Sequence, residues 1–560
     1  GAPAGGRSPS AGQRPAESED LEGRAHREAV ALHLEALRAR LAGAAMSDDE
    51  ALRISYEGDS ASAKGATAST AHRARLSKLA ADLKKVAGGP GDDAAPVHLD
   101  RADSVLADFC KVLGQSQREA DFAHVLKLGC AGMVVDICSR IKDALVAFSG
   151  NSETSPVWRS MSNVMLGALK WLGLVCKHDF SRAFMLLTGR VVRLADVAAA
   201  CMDLHFGSAA APPDAQSASV LFLPQVLHVL SLHMRQPLAA KTDCQPHTVA
   251  SYLLLCGLSE KLRELFRRVE VRTAKAFEGA SPLPLLLLRS MGFLSNVVCC
   301  YRLTIQAQQQ ATTEPSGSTG GSPPPPSSSA LVLRTLRRTE LFGIVSVLVS
   351  ILLSDGRRER PANPGARLPQ TVISLSFQAV RILNQVARLD LATLQETLGA
   401  CRRQEFYHLL VCLIDYCTAT VQSGKPGPGQ DENELLHETI VLLGYYCLRR
   451  PENQGIVSYG EGQTLLAKIT SLPLHYFMDE QGRGVLFPTI LATCYQSEQN
   501  LELLRNEMNL SLLQKYLASS LQRSDTRAAD ADDGPGLDGR FPRALWQDAL
   551  AFFSEEATSP

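Results

Sequence analysis

Four side chains able to ligate a metal, His228, His233, Cys244 and His247, fall within twenty positions of one another. Zinc would need all four as a tetrahedron. The five-residue step from His228 to His233 puts those rings on different sides of a helix. Cys244 and His247 flank a Gln-Pro pair that reads as a loop. A chance grouping explains the set better than a metal site, and no cofactor is expected. The chain has no Gly-x-Ser-x-Gly elbow after a strand and no Walker loop. It has no dinucleotide fingerprint set between strand and helix, and no His-Glu-x-x-His. Catalysis is not expected.

Arginine pairs recur at Arg267-Arg268, Arg337-Arg338, Arg357-Arg358, Arg402-Arg403 and Arg449-Arg450. Cations at helix ends compensate the dipole, and in loops they face solvent. Lined up on one ridge by stacked units, they can also meet a phosphate backbone. Without base-stacking aromatics presented on the same ridge, sequence-specific reading is not expected. Arg402, Arg403, Arg449 and Arg450 are the residues expected to touch a partner. Arg263-Glu264-Leu265-Phe266 fits the Arg-x-Leu-Phe pattern that docks on cyclins. Such a peptide must be exposed and extended, whereas Leu262, Leu265, Phe266 and Val269 read as the buried face of a helix.

The elements that must carry these residues are helical. From residue 97 onward apolar side chains recur at three- and four-residue spacing, as in Val105, Leu106, Phe109 and Leu113. No alternating strand pattern appears. The spacing predicts an all-α protein with a disordered N-terminus over 1–20 and helical segments and linkers over 21–96. A helical repeat region follows over 97–305, then a Pro/Ser-rich loop over 306–329. Armadillo-like repeats are expected over 330–521, and an acidic linker with a C-terminal aromatic helix over 522–560.

Asn453, Ile456, Val457, Leu465, Leu466 and Ile469 match Asn500, Leu503, Leu504, Leu512, Leu513 and Tyr516 at an offset of 47 positions. Armadillo and HEAT units have about this period. Asn384, with Leu394, Leu398, Leu409 and Leu410, reads as a looser third copy. The predicted architecture is an armadillo/HEAT-like α-solenoid, whose units bury their helices only by stacking.

Composition agrees with a folded chain. Of 560 residues, 45% are hydrophobic and 21% charged, and 57 basic residues meet 58 acidic ones. A net charge of -1 excludes steering to nucleic acid by bulk charge. Most of the 14 cysteines lie singly in apolar runs, such as Cys110, Cys176, Cys256 and Cys412, and they read as reduced buried thiols. The first residue is Gly1 rather than Met, so the chain is expected to be a fragment. Residues 1–20 lack a signal peptide's apolar core. The apolar run Leu341 to Leu353 is too short for a bilayer, which needs about 20 residues, so no membrane span is expected.

The last hundred residues carry a family resemblance. Its marks are Pro451-Glu452-Asn453-Gln454, Leu472-Pro473, Tyr476-Phe477 and Asp479, then Val485-Leu486-Phe487-Pro488, Cys494-Tyr495 and Gln499-Asn500. The ending Arg540-Phe541-Pro542, Trp546 and Phe552-Phe553 is the most specific. Phe541, Pro542, Trp546, Phe552 and Phe553 are expected to form a short amphipathic helix folded back on the last repeat. Together these residues resemble the C-terminal region of the family of S phase cyclin A-associated protein in the endoplasmic reticulum. The resemblance implies a non-enzymatic adaptor, cytoplasmic and endoplasmic-reticulum associated, with a nuclear presence as well. It implies a role in co-translational decay of tubulin messages, where the family joins a ribosome-bound tetratricopeptide factor to a deadenylase complex. The partners it implies are that factor, cyclin A and ribosomal RNA, the last met by the arginine ridge. The family's cyclin-docking region, zinc finger and coiled coil lie upstream of the part this chain resembles. A cyclin A/kinase regulator retaining cyclin in the cytoplasm is the alternative.

Overall fold

A computed structural model describes residues 31–32, 34–57, 70–87, 98–116, 118–147, 155–207, 218–235, 245–268, 283–312, 328–353, 368–400, 403–422, 430–459, 463–526, 537 and 539–554. The expected disorder over 1–20, Cys244, Val269 and Arg402 lie outside the described residues. The described residues are helical with no strand, and many helices pack together.

A short helix α1 (34–43) precedes a succession of helices mostly in threes. The first three are α2 (Asp48–Glu57), α3 (Thr70–Ala87) and α4 (Leu99–Gly114). Then come α5 (Glu119–Lys127), α6 (Cys130–Ala147) and α7 (Pro156–Val175), followed by α8 (Asp179–Leu187), α9 (Arg190–Gly207) and α10 (Ala218–His233). The next are α11 (Pro246–Leu255), α12 (Leu258–Arg268) and α13 (Leu283–Thr312), then α14 (Ser328–Arg338), α15 (Ile344–Leu353) and α16 (Gln370–Leu389). After α17 (Leu391–Ala400), α18 (Arg403–Gln422) and α19 (Gln430–Cys447) stand α20 (Pro451–Gln454), α21 (Leu465–Thr470), α22 (His475–Met478) and α23 (Glu480–Cys494). The chain closes with α24 (Glu498–Glu507), α25 (Ser511–Thr526) and α26 (Trp546–Ser554).

Local rules explain several starts and stops. The side chain of Ser155 caps α7 by accepting from the Trp158 amide at 3.1 Å, and Pro156 occupies the first turn. A repeated turn joins the first helix of a unit to the second. Gly129, Gly189, Gly257 and Gly343 sit there with φ of 73°, 67°, 77° and 73°. This left-handed corner favours a residue without Cβ. Helix α2 carries only a thin apolar stripe, Ala51, Leu52, Ile54 and Tyr56, and sequence periodicity passes over it. It forms with Asp48, Asp49 and Glu50 on its positive N-terminal end and buries Ala51. The loop expected from residue 306 starts later, because α13 runs on to Thr312 through Gln and Ala, both good helix formers.

Every helix packs against the third one after it along most of the chain. The long third helices form one row, α4–α7–α10–α13–α16–α19–α23. The second helices form another, α3–α6–α9–α12–α15–α18–α21. The first helices stack as α2–α5–α8 and again as α11–α14–α17–α20. Neighbours in the long row run parallel. Ser160 of α7 donates to Asp100 of α4 at 3.3 Å near their starts, and the Cys110 thiol reaches the Gly167 carbonyl further along. Likewise Asn384 and Arg388 of α16 reach Glu438 and Tyr445 of α19 in the same order. Each long helix places side chains such as Trp171, Phe222, Phe293, Leu383, Tyr446 and Leu486 in a continuous core between the rows. The second helices are also tied by ion pairs. Asp136 of α6 meets Arg193 of α9, Asp203 of α9 meets Lys261 of α12 at 2.7 Å, and Asp415 of α18 meets Lys468 of α21 at 2.6 Å. Such exposed pairs stabilise by only about 0–1 kcal/mol each, but they help set register.

Helix α13 includes a stretch, Leu283–Gln306, long and apolar enough to cross a bilayer by length and composition. The apolar run Leu341 to Leu353 is shorter than such a span. Two polar side chains of α13 bond to neighbouring helices. Asn296 donates to Ser231 Oγ at 2.5 Å, and Tyr301 shares a 2.7 Å hydrogen bond with Ser251.

The repeat at offset 47 has a hydrogen-bond counterpart. Asn453 donates to the Tyr446 carbonyl at 2.9 Å, and Asn500 to the Thr493 carbonyl at 2.8 Å. Both acceptors end a long helix. Gln454 Nε2 joins them by bonding the Ala492 and Tyr495 carbonyls, and Gln395 does the same one unit earlier at Tyr445 and Leu448. Buried amides thus cap the C-termini of α19 and α23. Asn384 is not a third copy of this device. It lies on α16, in the long row, and donates to the Glu438 carbonyl and carboxylate; Gln395 is the residue that does the capping in that unit. Replacing Asn500 by Ala removes its bonds to the Thr493 and Gln454 carbonyls. The expected cost is about 1–3 kcal/mol, read as a lower urea midpoint; a midpoint equal to wild type would refute the capping role.

Candidate functional site

The edge where α17 meets α18 and α19 meets α20 gathers the described arginines of the expected ridge. Arg449 ends α19 exposed, in the left-handed region at φ 55°, and Gln496 repeats that conformation 47 positions later at φ 62°. Arg450 is the N-cap residue of α20, and its guanidinium lies 3.5 Å from Glu396 of α17. The exposed Arg403, first in α18, donates to the Glu452 carbonyl on α20. Gly455 leaves room for it, since a Cβ there would come within 3.3 Å of the Arg403 guanidinium. Unit stacking therefore brings Arg403, Arg449 and Arg450 to one edge, with Glu396 and Glu452 among them. Arg402 lies outside the described residues. The patch is a mixed, solvent-screened surface able to make a few phosphate or carboxylate contacts.

The C-terminal aromatics lie against the last units. Phe541, Trp546 and Phe553 are buried, and Trp546 Nε1 donates to the Phe541 carbonyl at 3.0 Å. Tyr495 stands edge-on to both Phe541 and Phe552, with centroids 5.5 and 5.7 Å apart. Pro542 leads into the last helix and is half-buried. Helix α26 packs on α25, where Gln514 donates to the Phe553 carbonyl at 2.7 Å. Arg540 holds this segment in place. It is 3% exposed and donates to the Gly484 and Val485 carbonyls at 3.0 and 2.7 Å, and to Thr489. Burial pushes its guanidinium down to about 10. Its neighbour Gly444 is needed there, because a Cβ would sit 2.8 Å from Thr489 Oγ1. Arg540 was visible in the sequence only as part of the terminal signature, and its anchoring role had no sequence signal.

Cys244 lies outside the described residues, and His228, His233 and His247 belong to no cluster of metal-ligating side chains among the described residues. His233 is buried; its Nδ1 donates to the Val229 carbonyl at 2.8 Å, which leaves Nε2 to accept from the Cys176 thiol. His228 Nδ1 accepts from Arg289 at 2.8 Å. Burial, with that cation adding to it, pushes His228 down to about 4. The cysteine thiols Cys130, Cys138, Cys176, Cys300 and Cys494 are pushed up to about 12 by burial, which makes them inert packing groups. The Leu265 and Phe266 side chains of the cyclin-type tetrapeptide are buried in α12, and Arg263 pairs with Glu340 at 2.8 Å.

No family model matches the chain. It is similar to S phase cyclin A-associated protein in the endoplasmic reticulum from Homo sapiens, 30% identical over 230 residues. The match covers 39% of this chain and 16% of that protein's length.

Proposed function

We propose that the chain is an armadillo-like α-solenoid serving as a non-enzymatic adaptor. It docks on a ribosome-bound tetratricopeptide factor in the co-translational decay of tubulin messages, near the endoplasmic reticulum. The observation that carries the adaptor reading is the succession of three-helix units, each packed on the next. Such stacking offers long continuous faces to partners rather than an enclosed pocket. Similarity to a protein whose name records association with cyclin A and with the endoplasmic reticulum supports protein partners in general. The ridge of Arg402, Arg403, Arg449 and Arg450 supplies contacts to ribosomal RNA.

The test is co-sedimentation of the full chain with translating ribosomes, with and without the tetratricopeptide factor. Pelleting that depends on the factor and weakens with salt is expected. Reversing the charges of the four ridge arginines to Glu should lower the bound fraction at least about fivefold at moderate salt. Pelleting unchanged by the reversal removes the ridge from the reading; no pelleting in any condition removes the ribosome. Cyclin A association, which the relative's name records, is the second reading. The tetrapeptide Arg263 to Phe266 is helical and its apolar residues are buried, so a cyclin pulldown that survives Arg263→Ala would place that contact on another surface.

A further inference from the structure

The long helices α7, α10, α13 and α16 contain no aspartate and no glutamate. They have 20, 16, 30 and 20 residues, in a chain where 58 of 560 residues are acidic. Their lysines and arginines are Arg159, Lys170, Arg289, Arg302, Arg381 and Arg388. These four helices are consecutive in one row, so their solvent sides join into one face. Arg159 and Lys170 are exposed on α7, Arg381 and Arg388 on α16, and Arg289 and Arg302 are half-buried on α13. Acidic residues return only on the flanking helices of the row, with Asp100 and Asp103 on α4 and Glu434 and Glu438 on α19. The row of second helices behaves oppositely, because its acids and bases pair across units. The long-helix face has no carboxylate of its own with which to neutralise its cations.

Uncommitted polar atoms lie on the same helices. Arg289 Nε, Arg302 Nε, Gln378 Oε1 and Asn384 Oδ1 are buried without a hydrogen-bond partner among the described residues. Buried polar groups are normally paired. Between the exposed cations, Phe377 offers a partly buried ring with the Arg381 guanidinium 6.0 Å from its centroid.

We propose that this face docks an extended acidic segment of a protein partner. Its carboxylates meet the planar guanidinium groups of Arg289, Arg302, Arg381 and Arg388, an arrangement that suits fork-to-carboxylate pairing. An apolar side chain of the segment rests on the partly buried Phe377. The spacing argues against nucleic acid. Neighbouring helix axes lie about 8–10 Å apart, so cations spread over four helices are far sparser than phosphates on a strand. At one end the face approaches the Arg449 and Arg450 edge, since Arg388 donates to Tyr445, but the inference stands whether or not ribosome docking does.

The experiment titrates the full chain into a labelled peptide carrying glutamate at alternate positions among glycine and serine, and separately into labelled oligouridine, by fluorescence anisotropy at low salt. The peptide is expected to bind more tightly than the RNA. The double variant Arg381→Gln, Arg388→Gln should weaken the peptide at least about tenfold, a loss worth about 1.4 kcal/mol. Arg381→Lys with Arg388→Lys should retain most of the binding. Peptide binding unaffected by the Gln variants would overturn the proposal. So would oligouridine binding more tightly than the peptide and losing affinity with the same substitutions.

Discussion

Arg540→Met is expected to release the C-terminal segment 539–554 from the body of the protein. The buried guanidinium donates to two carbonyls of α23 and to Thr489. Hydrogen bonds to a charged group each contribute about 1.5–3 kcal/mol. Methionine fills similar space without a donor, so the acceptors lose their partner while the packing survives. Relief of the guanidinium's desolvation offsets part of the loss, leaving a net effect on the order of 3 kcal/mol. Hydrogen exchange over 539–554 should accelerate by about a hundredfold, since each 1.4 kcal/mol is a factor of ten. Proteolysis should then begin near Phe541 and Phe552. Arg540→Lys should fall between, with one cation for several acceptors. Wild-type protection in the Met variant would show that the aromatic contacts alone hold the segment.

Stability should fall on mild acidification, with His233 a principal cause. In an unfolded chain histidine titrates near 6.5, and burial pushes His233 in the fold down to about 4. Above about 6.5 neither state binds the proton and stability is intact. As the pH falls from there toward 4, the unfolded chain takes up a proton that the native state refuses. One unit corresponds to about 1.4 kcal/mol, so His233 accounts for a loss approaching about 3 kcal/mol. His228 is lowered similarly, and burial lowers His124, His247 and His437 as well. Denaturant midpoints at about pH 7.5 and about pH 5 measure the effect. His233→Leu should cut the difference between the two midpoints; a pH difference as large as wild type would exonerate this ring.

The helical class was legible because the apolar stripes are strong. Leu106, Phe109 and Leu113 on α4, expected on one face, are all buried. Helix α2 was not legible, since only Ala51 is fully buried, with Leu52, Ile54 and Tyr56 packed at the rim of the core, and its residues read as polar linker. The pairing of Asn453 with Asn500 was legible because both do the same job seven residues after their acceptors. The mistaken third member, Asn384, shows the limit of such matching. A buried Asn signals a carbonyl to be met, not the row in which it sits. The glycine corners escaped notice because the stretches between Gly129, Gly189, Gly257 and Gly343 differ in length, so no fixed period exists to find. At the candidate site, the cations were readable but their commitments were not. Glu396 and the Glu452 carbonyl reach Arg450 and Arg403 only because units stack. The absence of acids from four helices was likewise written in the residues, but it has meaning only once every third helix stands in one row.

That third-helix rule constrains how the chain can change length. Loss of one helix would shift all later helices into the wrong row, placing charged second helices where the acid-free face should continue. Loss or gain of three would restore phase, as codons do in a reading frame. The fold is therefore quantised in the helices that build the rows, whereas a short addition such as α22, between α21 and α23, enters without disturbing what lies downstream.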